Sequence, residues 1–377
     1  MTAIAETDTV DGQAGMPPPR QNPDLIGHEA AERTLLDAYR SERLSHAWLI
    51  CGPRGIGKAT LAYRFARFLL GRGRPASGGL FGNLPADDPE TLYVDPANPL
   101  FHRVAGGGHA DLMVVERGFT DDTRQKMRTE IVVADVRRIG GFLGMTPAEG
   151  GWRVVVIDAA DEMNPSAMNA VLKVLEEPPP QSVLLLVCHN PGRLLPTVRS
   201  RCRRLVLNPL PSTAVAGLLT RYEPGLDVAD ALALASLAEG SVGRALALAG
   251  EGGLSLYREL LGLLSTLPNI DIAALHEFAD RLSRPSADSA FRTVTELLQN
   301  WLGRLIRAGA VATMGDGAPN DAESALTARL LAAGGLERWL EVWEKTTILL
   351  ARTDGANLDR KSVILHAVLT IDKAARG

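Results

Sequence analysis

Residues 46–71 read HAWLICGPRGIGKATLAYRFARFLLG, and this stretch decides the fold. A short apolar run enters a glycine loop, and beyond Lys58 the residues Leu61, Phe65, Phe68 and Leu69 recur at helical spacing. Strand, glycine loop and helix in that order make a phosphate-binding loop: glycines let backbone N–H groups approach phosphate oxygens, and a lysine neutralises the β and γ charges. Gly52, Gly55, Gly57 and Lys58 hold those places. The next position, normally a Ser or Thr whose hydroxyl ligates Mg²⁺, is Ala59. Thr60 follows, and its side chain points about 100° further round the helix. The loop by itself leaves three readings open: it holds and hydrolyses ATP, it holds ATP idly, or it is kept for its shape.

Downstream, DLMVVER, WRVVVIDAA and SVLLLVCHN read as strands, the last two apolar on both faces as in a covered parallel sheet. IVVADVRRIGGFLG reads as a helix between them, and a second helix runs from Pro165, near its N1 position, to the proline stop at Pro178. Alternating strands and helices predict a doubly wound α/β domain. Residues 71–110 are rich in Gly, Pro and Asp and read as a long surface insertion. From about Asn208 every periodic segment is helical. Phe291, Val294, Leu298, Trp301, Leu302 and Leu305 form one apolar stripe, and Leu336, Trp339, Leu340 and Trp343 another. Most of both stripes is expected to be intramolecular core, with a remainder available to partner subunits.

Composition bounds the rest. The chain has 377 residues, 46% of them hydrophobic, enough for two or three domains. Its net charge of −4 argues against a surface that is basic throughout, although Arg193, Arg199, Arg201, Arg203 and Arg204 crowd one short segment. Cys51, Cys188 and Cys202 are too few and scattered for a disulfide framework or a four-thiolate zinc site, which favours the reducing cytoplasm. No apolar run reaches the ~18 residues of a membrane helix. Residues 1–22, acidic, polar and proline-tipped, read as a disordered tail without a secretory segment.

Asp158 ends a strand at the place where a carboxylate holds Mg²⁺ through water in phosphate-loop folds. The residue after it is Ala159, where ATPases of this type place the glutamate that polarises the attacking water, and neither Asp161 nor Glu162 stands at the strand position aimed into the site. Loss of a positioned base costs about two to four orders of magnitude in rate. Two alanines at catalytic positions point to a relaxed demand for hydrolysis.

The combination LSHAWLICGPRGIGKAT, VVVIDAADEMNPSAMNAVLKVLEEPPP and LLPTVRSRCRRL resembles the bacterial clamp loader subunits of DNA polymerase III. The motifs span residue 24 to about 250, and GANLDRKSVILHAVL looks like the last collar helix. The resemblance implies a RecA-like AAA+ domain over residues 23–208, a helical lid over 209–252 and an all-helical collar over 253–377 that joins five subunits into an open ring. It also implies partners: gamma/tau and delta subunits, and through the complex the sliding clamp and primed DNA, within the DNA-directed DNA polymerase holoenzyme. Arg201 matches an arginine finger that reaches the ATP of a neighbouring subunit. Arg137 and Arg138 match a region near the DNA-facing interior, where solvated arginines are the competing reading.

Departures from the family pattern sort its branches. The motor subunit, gamma/tau, keeps both the hydroxyl and the glutamate missing at Ala59 and Ala159. The second sensor reads roughly GSxR, and aligning Gly240-Ser241 puts Gly243 where the arginine should be, with Arg244 one place late. His189 stands where the motor has threonine at the first sensor, and the zinc module's cysteines are absent from residues 71–110, where His102 and His109 alone make no zinc site. The pattern is thus closest to delta-prime: a nucleotide site for ATP and Mg²⁺, formed by Gly52, Gly55, Gly57, Lys58, Ala59, Thr60 and Asp158, that binds without efficient hydrolysis and uses no zinc. An active motor that uses Thr60 for Mg²⁺ is the alternative. A monomeric phosphate-loop kinase or transferase is weaker, since it gives Arg201 and the helical C-terminus no role.

Overall fold

The computed structural model describes residues 15–72, 89–120, 127–149, 151–312, 322–356 and 358–376. The chain divides into two compact units, Met1–Leu246 and Ala247–Gly377.

The first unit is built on five parallel strands, β1 (Ala47–Cys51), β2 (Leu112–Val115), β3 (Arg153–Asp158), β4 (Ser182–Cys188) and β5 (Arg203–Val206), in the order β2-β3-β4-β1-β5. Every residue of β1 and β4 is buried, which is why those segments read as unbroken apolar runs. Alternate residues serve opposite faces. Trp48, Ile50, Val154, Val156, Leu185 and Val187 pack with α1 (Glu29–Arg40) and α2 (Lys58–Gly71). Leu49, Cys51, Val155, Ile157, Leu186 and Cys188 pack on the other face. There they meet α4 (Val133–Gly144), α5 (Pro165–Glu176) and α6 (Pro196–Arg201), α3 being the short helix Pro99–Ala105. The doubly wound α/β arrangement expected from the sequence is therefore present. Leu61, Phe65, Phe68 and Leu69 are all buried. After β1 the chain crosses to the β2 edge, and after β4 it crosses to β5 on the other side of β1. That reversal opens a crevice at the carboxyl ends of β1 and β4, where open α/β sheets place their ligands.

Two expectations need correction. Residues 15–22 are not a loose tail. The guanidinium of Arg67 is 1% exposed and donates to the carbonyls of Arg20 (3.0 Å) and Asn22 (2.9 Å), while Arg64 donates to Pro23 O at 2.7 Å. A polar, proline-rich strap is thus ordered by two arginines whose own burial requires acceptors. Residues 1–14 lie outside the described residues. Within the expected insertion, 89–110 carry α3, N-capped by Asn98, with Leu92, Leu100 and Val104 buried against the sheet's α2 face. Residues 73–88 lie outside the described residues.

After β5 come α7 (Ser212–Tyr222), α8 (Val228–Leu237) and α9 (Val242–Gly250). The division between the units falls inside α9. The second unit continues with α10 (Gly253–Ser265), α11 (Ile272–Leu282), α12 (Asp288–Ala312), α13 (Ala322–Ala356) and α14 (Arg360–Arg376), with no strand among its described residues. Phe291, Val294, Leu298, Trp301, Leu302 and Leu305 of α12 are all buried. The other stripe is split: Trp339 is fully buried, but Leu340 and Trp343 are exposed. α13 is interrupted at Gly335, whose φ of +65° and ψ of 163° are not helical.

Candidate nucleotide site

The phosphate loop leaves β1 at Gly52 and enters α2 at Lys58. Gly52 (φ +150°), Gly55 (+74°) and Gly57 (+104°) all take backbone conformations that side chains disfavour. Space excludes a side chain as well. A Cβ on Gly52 would stand 2.6 Å from Leu207 O, and one on Gly55 would stand 2.5 Å from Ser241 Oγ.

Four consecutive loop carbonyls each accept a hydrogen bond from a different group. Lys58 Nζ donates to Pro53 O. Ser241 Oγ donates to Arg54 O at 2.7 Å, and the backbone N–H of Gly243 donates to Gly55 O at 2.9 Å. His28 Nε2 donates to Ile56 O at 2.6 Å. The acceptor there is a carbonyl, so Nε2 carries the proton. Ser241 Oγ also accepts the N–H of Arg244 at 3.2 Å, which ties the first turn of α9 to the loop. Of the two residues read from sequence as a displaced second sensor, Gly243 meets the loop through its own N–H, and Arg244 N–H is joined to it by way of Ser241 Oγ.

Lys58 is 3% exposed. Burial pulls its ammonium down to about 8, against the opposing pull of Asp158 and Asp161. Ala59 is half-buried and offers no oxygen, and Thr60, one position on, is buried. Asp158 stands at the end of β3 beside Lys58, as its place in the sequence requires. Ala159 is buried.

The two acids after Ala159 are engaged elsewhere. Asp161 accepts the backbone N–H groups of His189 (2.9 Å) and Asn190 (3.0 Å), one on each carboxylate oxygen. Burial alone would raise its pKa, but those two bonds outweigh burial and hold it below the usual carboxylate value. Glu162 pairs with Arg117 at 2.8 Å and lies 3.9 Å from Arg54. His189 follows β4, and burial, followed by the charge of Lys58, pulls its imidazole down to about 4, so it is neutral near pH 7. Its Nδ1 is buried without a hydrogen-bond partner among the described residues.

These residues fit a phosphate chain: a glycine loop, a buried lysine and a polar atom held in reserve at His189. For Mg²⁺ the fit is partial, because Asp158 is in place and the hydroxyl is not. Among the described residues no cluster of three or more His, Cys, Asp or Glu could hold a metal ion.

The structure brings Gly52, Gly55, Gly57, Lys58, Ala59, Thr60 and Asp158 together at the carboxyl ends of β1 and β3. Arg201 stands apart from them at the end of α6. Its guanidinium lies 2.8 Å from Glu176 of α5 and donates to Thr197 O at 3.0 Å. Arg137 and Arg138 are exposed on α4, and Arg203 lies over the Trp48 ring at 4.8 Å. His28 was not legible as a site residue. The only signal was its place in Gly27-His28, directly ahead of a helix.

Residues 88–211 match the family model described as DNA polymerase III, delta subunit. The chain is 39% identical over 172 residues to the DNA polymerase III subunit delta' of Pseudomonas aeruginosa, covering 46% of this chain and 45% of that protein. It is 25% identical over 295 residues to the DNA polymerase III subunit tau of Bacillus subtilis, covering 74% of this chain and 46% of that protein. The chain thus spans about half the length of the curated relatives it matches. Among solved structures, a gamma subunit-related protein of DNA polymerase III from Thermotoga maritima aligns over 91% of this chain and 100% of that one, at 18% identity and a TM-score of 0.40. This chain is similar to delta' subunits of DNA polymerase III, with gamma/tau subunits as further relatives.

Proposed function

We propose that the chain is a delta-prime-like subunit of the DNA polymerase III clamp loader, an AAA+ scaffold that holds nucleotide without efficient hydrolysis and offers Arg201 to the ATP of a neighbouring subunit. Within a loader it would assemble with gamma/tau and delta subunits to open the sliding clamp at primed DNA. Similarity to delta' and gamma/tau subunits supports the assembly.

The observation that carries the non-motor reading is the fate of the acids around Ala159. A hydrolytic site needs a carboxylate free to orient water. Asp161 has both oxygens on backbone N–H groups, and Glu162 is paired with Arg117. Arg201 fits a role in trans, since it lies on a partly exposed helix end and is held by Glu176 and Thr197. A finger supplied from another subunit is worth ~10³ to 10⁵ in rate in GTPases.

Steady-state ATPase of the isolated chain tests the first half. Turnover comparable to a motor subunit, abolished by Lys58→Ala, would sink it. The second half is tested by reconstituting a loader with wild type or Arg201→Ala. Unchanged clamp-dependent ATPase in an intact assembly would refute the trans finger.

The active-motor reading keeps one observation in its favour: the tau subunit aligns with 74% of this chain, against 46% for the delta' subunit of Pseudomonas aeruginosa. The same ATPase measurement decides it.

A further inference from the structure

His28 and Ser241 are 5% and 4% exposed, come from opposite ends of the first unit, and bond to two carbonyls of the phosphate loop. Gly243 N–H takes the carbonyl between them. In a trans peptide plane the N–H of each residue points opposite to the preceding carbonyl. The carbonyls of Arg54, Gly55 and Ile56 are drawn towards α9 and His28, so the N–H groups of Gly55, Ile56 and Gly57 are turned the other way. Successive N–H groups facing one side make an anion-binding concavity. Donors outside the concavity therefore set its shape, and Lys58 is left to supply the charge inside.

We propose that His28 and Ser241 are positioning residues of the phosphate loop: they hold its backbone in the anion-binding form before a ligand arrives, and that ligand is a polyphosphate chain. The inference rests on the reading of the loop as a phosphate site. Ser241 has a second bond, from Arg244 N–H, so it joins the loop to the start of α9. The close approach leaves no room for a side chain on Gly55, whose Cβ would meet Ser241 Oγ, Gly243 Cα at 3.1 Å and Arg244 N at 3.3 Å. Two hydrogen bonds, from Ser241 Oγ and from Gly243 N–H, thus join the loop to the start of α9.

The test uses the full chain as wild type, Ser241→Ala, Ser241→Thr, His28→Phe and His28→Gln. Two quantities are measured: amide hydrogen exchange of the peptide covering residues 52–61, and affinity for inorganic tripolyphosphate and for ATP. Ser241→Ala and His28→Phe are expected to speed exchange in that peptide, leave the peptides of β3 and β4 unchanged, and weaken tripolyphosphate binding about three- to tenfold. Threonine at 241 and glutamine at 28 keep a donor and are expected to restore both readouts, which separates positioning from misfolding. Wild-type exchange in Ser241→Ala and His28→Phe overturns the proposal, as does wild-type affinity in variants whose loop exchanges faster. If the wild-type chain binds neither probe, the phosphate reading falls, and the exchange measurement still decides whether the two side chains fix the loop.

Discussion

Asp161 accepts the backbone N–H of His189 at 2.9 Å and thereby ties the segment after β3 to the end of β4. The bond belongs to the framework of the site, and its loss should be felt as lost stability. Asp161→Ala is expected to destabilise the first unit by ~2–4 kcal/mol, because two N–H groups lose a charged acceptor. The folded pKa of Asp161 is depressed, so its contribution is fully present above the unfolded value near ~3.9 and is lost as pH falls through the lower folded value. Urea midpoints between pH 7 and pH 2.5 should therefore fall more for wild type than for Asp161→Ala.

Lys58 gives the site a pH dependence of its own. With an ammonium near 8, it is largely protonated at pH 7 and largely neutral at pH 9.5. A bound phosphate chain favours the charged form, so binding above pH 8 takes up a proton and weakens by up to about tenfold per pH unit. ATP titrations from pH 7 to 9.5 should show this slope in wild type and none in Lys58→Arg. The same shift acts on folding with its own sign: a depressed lysine costs stability below pH 8, and the cost fades as pH rises towards 10.5.

The loop glycines are expected to differ in their tolerance of alanine. Gly52→Ala meets the Leu207 backbone at 2.6 Å and should cost about 3 kcal/mol or more, because a main-chain atom cannot rotate aside. At Gly57 the nearest atoms are 3.6 Å away, which leaves only the conformational cost of about 1–2 kcal/mol. Chemical denaturation of the two variants checks the order, and a Gly57→Ala protein less stable than Gly52→Ala would contradict the geometry.

Arg67 should control the N-terminal strap. Burial pulls this guanidinium down to about 10, and its carbonyl acceptors on Arg20 and Asn22 satisfy it. Arg67→Met keeps most of the volume and removes both bonds, with an expected loss of about 2–4 kcal/mol. Limited trypsin digestion should then cut after Arg20 faster than in wild type, while cleavage within the sheet stays slow.

What the sequence disclosed, and what it hid, follows from the range of the interactions. The order of strand, loop and helix around Lys58 is local, so periodicity and glycine spacing revealed it. The buried parallel strands announced themselves because both faces of β3 and β4 are covered. The fixing of the loop was not visible, because Ser241 reaches Arg54 across 187 positions and His28 reaches Ile56 across 28. The strap is illegible for a related reason: its composition suits a tail, and its order comes from arginines on α2. A helix buried on every side that carries Arg64 and Arg67 must find acceptors nearby, and that requirement is the one trace of the strap in the sequence. Arg201 could be located from sequence, but its partner Glu176 could not.

The break at Gly335 has a mechanical meaning. In an uninterrupted helix each added residue turns everything after it by about 100°. A fixed non-helical residue resets the direction and phase of the chain at that point. The stretch from Leu336 onward, which buries Trp339 and displays Leu340 and Trp343, therefore does not continue the phase of the turns before it, and Trp339 Nε1 clasps it back onto Leu330 O at 3.0 Å. That bond spans the break, so the arc from Leu330 to Trp339 has a fixed length, and a residue inserted within it would displace the buried indole and the exposed pair together.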